Sequence, residues 1–336
     1  MLSFEELLQG SRSIAIVHGG DADGLASAAM LMSRIPQGAS VHLVYAEQGF
    51  GEEVLEGLRS ASPELTVFIG LGLGVAEARR VSEGLGCRVV VLDTHPGGPV
   101  GVYGGALFVN PTTGLGVQYP SVTWLLHDMG VGRELLLPVA VGALRGAVLG
   151  GGSWIFEEVA EYSRAMALGL GELINLSRAV DACGKVGDRG CVASTPARLL
   201  ELSGSPRSSL EEGMWFRALS ELSREISGLL RTAEPEERQG YRVYLFKGRF
   251  SSSLDLLESL GAGEGVVVAV HRGRVLEAAA ITGTVTHTLC EEARRRGLRC
   301  RPVLSRAVLW VRGPLHRGIS RVLGILDRFG NRTPRL

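Results

Sequence analysis

The stretch Val17-His18-Gly19-Gly20-Asp21-Ala22-Asp23-Gly24-Leu25-Ala26-Ser27 decides how this chain is read. An apolar run, Ser13 to Val17, leads into it, and an apolar run of helical character, Leu25 to Met32, follows. A strand that delivers two aspartates, one residue apart, to a glycine-rich turn at a helix N-terminus is suited to holding a divalent cation beside phosphate. The plainer alternative is that Asp21 and Asp23 are turn and N-cap residues, since Asp is favoured at both places.

Outward from this stretch, short β-branched runs alternate with helical segments. Strands are expected near 13–18, 40–45, 65–69, 88–92 and 106–109, and helices near 24–34, 51–60, 75–86, 121–130 and 134–149. Near-continuously apolar strands in a β/α alternation imply an α/β fold with a parallel sheet covered on both faces. Ligands of such sheets collect at the strand C-terminal ends, where Asp21, Asp23, Asp93 and His95 all fall. A two-metal centre needs a bridging carboxylate and further ligands on each ion. The later elements supply few. The third strand ends in Gly70-Leu71-Gly72-Leu73-Gly74, and the helix near 134–149 carries Gly142-Ala143-Leu144-Arg145-Gly146 with no carboxylate. The Gly70–Gly74 run also lacks the Lys-Ser/Thr of a nucleotide-binding loop.

These motifs resemble the DHH phosphoesterase superfamily, which includes RecJ-type exonucleases, over roughly residues 10–150. Asp21 and Asp23 match its Asp-x-Asp-Gly, with Ser27 as the small-residue continuation. Asn110-Pro111 after the 106–109 strand also fits. Where the family has an upstream ligand this chain has Gly19, and His18 lies one position off. The family's second-motif Asp falls on the Gly70–Gly74 run and is missing. Asp93-Thr94-His95 stands for Asp-His-His with Thr replacing a ligand, and Thr is a poor substitute for imidazole on Mn²⁺. The fourth-motif Asp aligns with Gly146. The resemblance therefore implies a remnant metal site, Asp21, Asp23, Asp93 and His95, with no working metal and no cofactor. It implies a catalytically degenerate, archaeal counterpart of cell division control protein 45, the branch that joins GINS and the MCM helicase and contacts single-stranded DNA. The alternative is a metal-dependent phosphoesterase or single-strand exonuclease, with Mn²⁺ or Mg²⁺ on Asp21, Asp23 and His95.

Composition is consistent with a globular chain of two domains: 336 residues, 45% hydrophobic. The absence of an apolar run of eighteen residues leads us to expect no membrane span. The five scattered cysteines, none in Cys-x-x-Cys spacing, lead us to expect a reducing, cytoplasmic setting without a disulfide framework, to which the resemblance adds association with the chromosome. Net charge is zero but segregated. Residues 293–336 hold twelve arginines and one acid, Asp327, a net of +11, so the remainder carries −11. A basic segment suits phosphate backbones and the acidic remainder suits a basic protein partner. Clustering makes Arg294, Arg295, Arg296, Arg299 and Arg301 the DNA-contact candidates; the alternative is that these arginines cover an acidic face of the first domain.

The division we expect is an α/β domain over 1–150, a helical partner-binding segment over 151–232 and a basic α+β domain over 240–336. In the middle segment Trp215-Phe216 is the candidate partner anchor, because aromatic residues dominate interface hot spots. Thr232 to Gly240 reads as a linker. Strands at 241–246, 266–270, 275–281 and 307–311 and helices at 253–260, 285–296 and 315–329 follow. The family's C-terminal Gly-Gly-Gly-His motif has no match in Gly313-Pro314-Leu315-His316-Arg317-Gly318.

Overall fold

The computed structural model describes residues 4–47, 50–95, 98–116, 119–148, 154–250, 252–261, 263–272, 275–281, 289, 292–293, 295–303 and 306–330. The chain divides into two compact units, Met1–Leu219 and Ser220–Leu336.

The first unit begins with α1 (Phe4–Gln9), β1 (Ser13–His18), α2 (Ala22–Met32), β2 (Ser40–Tyr45), α3 (Glu52–Ala61), β3 (Leu65–Ile69), α4 (Val75–Leu85) and β4 (Arg88–Leu92). A short antiparallel edge strand, β5 (Gly101–Tyr103), precedes β6 (Ala106–Val109). The sheet order is β2-β1-β3-β4-β6-β5, parallel except at β5, so the five expected strands form and only the edge strand is added. Strand pleating sends alternate residues to opposite faces. On one face Ala15, Val17, Phe68, Val89 and Val91 pack with Val54, Leu55 and Leu58 of α3 and Ala78 and Val81 of α4. The other face is covered by α2.

Helices then follow in series: α5 (Pro111–Gly114), α6 (Val122–Asp128), α7 (Leu136–Val148), α8 (Trp154–Ala165), α9 (Leu170–Lys185), α10 (Arg189–Leu202) and α11 (Gly213–Arg231), the last spanning the boundary between the units. α7 lies on α2 and carries α6, α8 and α9, while α10 also reaches α2. Trp215, expected as an exposed anchor, is instead fully buried, its indole N–H donating to Thr195 Oγ1 at 2.8 Å. The reason is position: Trp215 lies in the first turn of α11, where the apolar stripe that suggested an anchor turns onto α10. Phe216 is half-buried. Cys183 and Cys191, at the end of α9 and the start of α10, form a disulfide, contrary to expectation. The short corner between α9 and α10 brings their Cα atoms to 5.6 Å, which an eight-residue spacing does not announce.

The second unit holds β7 (Pro235–Arg238), β8 (Tyr241–Phe246), α12 (Ser253–Ser259), β9 (Val266–Arg272), β10 (Val275–Ile281), β11 (Arg299–Val303), β12 (Arg306–Arg312) and α13 (Leu315–Gly330). Its sheet runs β11-β12-β10-β9-β8-β7, antiparallel except for the β8–β9 pair. Residues 232–240 are thus not a linker. Arg238 pairs with Tyr241 across Gln239-Gly240, both at positive φ, and two such residues make the twisted two-residue turn that closes a hairpin. The expected helix at 285–296 falls largely outside the described residues. Val267, Ala269, Leu276, Ala278 and Leu309 of the sheet bury against Ile319, Val322, Leu323 and Leu326 of α13.

Candidate functional site

The carboxyl ends of β1, β3 and β4 present the residues that the motifs single out, and each has local work. Asp21 is the N-cap of α2, its Oδ1 accepting from the Gly24 amide at 2.8 Å. Asp23 reaches across to the start of α6. Its Oδ2 accepts from the Val122 amide at 2.8 Å, and its Oδ1 from the Thr123 amide at 2.9 Å and the Thr123 hydroxyl at 3.0 Å. Both oxygens of the central aspartate are therefore committed to another helix. Burial pushes its carboxyl up to about 6, the Asp21 charge adds to this, and the Val122 and Thr123 donors oppose it.

Asp93 and His95 are brought onto each other, Asp93 Oδ1 to His95 Nδ1 at 2.5 Å, with the same oxygen accepting from the Thr94 and His95 amides. Burial would raise this carboxyl, but the imidazole and the two amides outweigh it and hold it below the usual carboxylate range. Asn110, the N-cap of α5, donates through Nδ2 to the His95 carbonyl at 2.7 Å and so fixes the turn. His18 is buried, accepts the Gly20 amide through Nδ1 at 3.2 Å and lies parallel to the Tyr45 ring. Burial lowers its pKa to about 4 despite the Asp21 charge, so at neutral pH it is an uncharged acceptor.

Of the two missing aspartates, the later one has its position filled by backbone. A Cβ at residue 146 would stand 1.9 Å from the Pro120 carbonyl oxygen, because the segment leading into α6 crosses α7 at that point. Gly70 and Gly72 have φ of +60° and +63°, a conformation that side chains resist. Sequence reading missed what packs on the other side. The Gly20 carbonyl lies so close to α9 that a Cβ at Gly184 would come within 2.3 Å of it, and Tyr45 Oη donates to the Gly184 carbonyl at 3.1 Å. Next to it, buried Asp181 accepts the Ala22 amide at 3.3 Å and pairs with Lys185 at 2.8 Å and Arg145 at 3.1 Å. Two signals pointed there: Lys185 is one of two lysines in the chain, and Arg145 adjoins the position of the absent aspartate.

These residues do not fit a two-metal centre. Each Asp23 oxygen already accepts from the first turn of α6, the fourth ligand position is filled by backbone, and Lys185 and Arg145 stand beside the turn. Among the described residues no three His, Cys, Asp or Glu side chains gather as a metal site.

No protein-family model matches the chain, and no curated protein matches it in sequence. The likeness is to solved structures. A DHH-domain protein described as a member of a family of ribosomal proteins superposes with a TM-score of 0.65 at 14% identity, over 96% of this chain and 88% of that one. The chain has the DHH-type fold. Exonuclease RecJ bound to manganese gives 0.60 at 18% identity over 97% and 92%. CDC45 of Entamoeba histolytica gives 0.51 at 10% identity over 95% of each chain. Identities this low speak for the DHH-type fold alone. No helix among the described residues is long and apolar enough to cross a membrane.

Of the arginine candidates in the second unit, Arg294 lies outside the described residues, and Arg299 and Arg301 are described through the backbone of β11 only. Arg295 and Arg296 pair with Glu292 at 3.3 and 2.7 Å, and Arg328 approaches the same carboxylate at 3.6 Å. Three guanidiniums thus gather on the Glu292 carboxylate.

Two outcomes follow from this geometry. Gly146→Ala, a change that in an open helix gains up to about 1 kcal/mol, lowers stability here by at least about 2 kcal/mol, a melting point roughly 4–8 °C lower; an unchanged or raised melt contradicts the closure. His18 has its folded pKa below its unfolded value of 6.5, so its contribution is present above pH 6.5 and lost as pH falls toward 4. Asp23 runs the other way, its contribution being lost as pH rises through about 6. In His18→Asn the amide oxygen keeps the Gly20 contact and the titration is removed. Stability relative to the parent then shifts in the variant's favour by about 2–3 kcal/mol between pH 7 and 4.5. A difference that stays constant with pH shows that His18 is not buried neutral.

Proposed function

We propose that this chain is a non-catalytic, RecJ-like scaffold of DNA replication that associates with GINS and the MCM helicase and contacts single-stranded DNA. The observation that carries this reading is the commitment of both Asp23 oxygens to the first turn of α6. A phosphoesterase of this type needs that carboxylate on a cation, where it helps activate water and neutralise phosphate. Here the carboxylate holds the first turn of a helix. The likeness to CDC45 over 95% of both chains suits a chain that keeps the frame.

Binding of single-stranded DNA needs guanidinium contacts and exposed stacking groups, not a reactive metal. The arginines around Glu292, with Arg294, Arg299 and Arg301, are the proposed phosphate contacts, which places DNA on the second unit. The helices of 151–232 remain the proposed partner-binding segment, where Phe216 is half-buried and Trp215 fully buried. The rival reading, a metal-dependent exonuclease, draws on the manganese-bound RecJ likeness.

Hydrolysis of 5′-labelled single-stranded DNA with Mn²⁺ separates them. The control is Asp21→Asn, since Asn retains the N-cap while removing the charge. The expected result is no cleavage above the control, with the same oligonucleotide retained in a salt-sensitive complex. Cleavage that disappears in the control establishes the exonuclease instead.

A further inference from the structure

The surface shared by α6 and α8 has features that neither the closed site nor the core requires. Trp154, at the first turn of α8, is 43% exposed. It stands edge-on to Trp124, ring centroids 5.5 Å apart at 78°, and Trp124 in turn stacks on Tyr162 at 6.2 Å. His127 joins the group 5.4 Å from Trp124, with Nε2 3.3 Å from the Tyr162 hydroxyl. Its buried Nδ1 has no hydrogen-bond partner among the described residues, the Asp128 carboxylate being 3.8 Å away. Four aromatic rings thus lie in a connected row with one indole left in water.

Carboxylates rim the row. Glu157, Glu158 and Glu161 are exposed along α8, and Asp128 is exposed at the end of α6. Burial, followed by the charges of Glu158, Asp128 and Glu161, raises the Tyr162 phenol above its usual value, which places those carboxylates around the ring. Two guanidiniums stand nearby. Arg164 meets Glu161 at 3.7 Å, and Arg133 donates to the backbone carbonyls of His127 and Asp128. The side-chain charge facing the exposed indole remains negative.

We propose that this face docks a basic protein segment, with an arginine or lysine side chain over the Trp154 indole and its charge answered by Glu157, Glu158 and Glu161. Tryptophan is the strongest cation–π acceptor among side chains, and a rim of carboxylates adds attraction and orientation. Exposed aromatic anchors inside a polar rim are the composition of protein interfaces. The same carboxylates repel phosphate, so a nucleic acid is a poor occupant. The inference deepens the scaffold reading by giving the chemistry of a partner, and it stands on the surface itself.

The test uses the full chain and a fluorescein-labelled dodecapeptide of alternating arginine and glycine, followed by fluorescence anisotropy at about 0.1 M salt. Trp154→Ala removes an exposed side chain, and an unchanged thermal melt verifies that the fold persists. We expect it to weaken peptide binding about fivefold or more, and Glu157→Gln/Glu158→Gln/Glu161→Gln to weaken it more. Binding within twofold of the parent in Trp154→Ala overturns the proposal. So does self-association that Trp154→Ala abolishes, which makes a second copy the occupant, or an oligothymidylate that displaces the peptide and loses affinity in Trp154→Ala. Nuclease activity in the separate DNA assay leaves this result untouched, so the two readings fail independently.

Discussion

The Asp23 carboxylate, held by the amides of Val122 and Thr123, is the interaction on which the arrangement of the first unit depends. It joins the first turn of α2 to the first turn of α6 across about a hundred residues of chain. Around that junction the chain has settled closely: the Pro120 carbonyl against Gly146, the Thr123 side chain against Gly142 and the Gly20 carbonyl against Gly184. A carboxylate that accepts three hydrogen bonds from one helix turn has part of its burial cost offset. The outcome is a carboxylate that ties the first turns of two helices together.

Asp181 brings Lys185 and Arg145 into a buried pair beside the Ala22 amide. Breaking such a buried group by removing one partner is costly, because the remaining charge loses its compensation. His18 contributes by being neutral and Asp93 by being tied to His95. Each acid near the strand ends therefore has a partner supplied by the chain.

The sheet was legible because near-continuous β-branched runs admit little other than buried parallel strands, and all five expected ranges formed. Asp21 as an N-cap was legible too, since the cap is local. The role of Asp23 was not, because its partners are far away in sequence and no local pattern encodes that meeting. Gly146 read as a missing ligand, while its physical meaning, room for the Pro120 carbonyl, depends on a helix crossing. Pro235–Arg238 looked like a linker because its polar residues hide an edge strand, and Gln239-Gly240 closes the turn less conspicuously than Asn-Gly. Trp215 was misplaced for the opposite reason: an amphipathic stripe says that a face is covered, not whether by the same chain or another. The Cys183–Cys191 pair escaped for want of a spacing rule.

What remains is a DHH-type frame with its strand-end carboxylates turned inward, a basic second unit and an aromatic, acid-rimmed face on the first. The central claim is that the chain itself has taken the place of the cation. Titration of the full chain with Mn²⁺, with free ion followed by electron paramagnetic resonance, tests this most directly. The account predicts that no ion is retained more tightly than about millimolar, because Asp23 would have to release α6 to bind it. Stoichiometric retention at micromolar Mn²⁺, lost in Asp21→Asn, would contradict it.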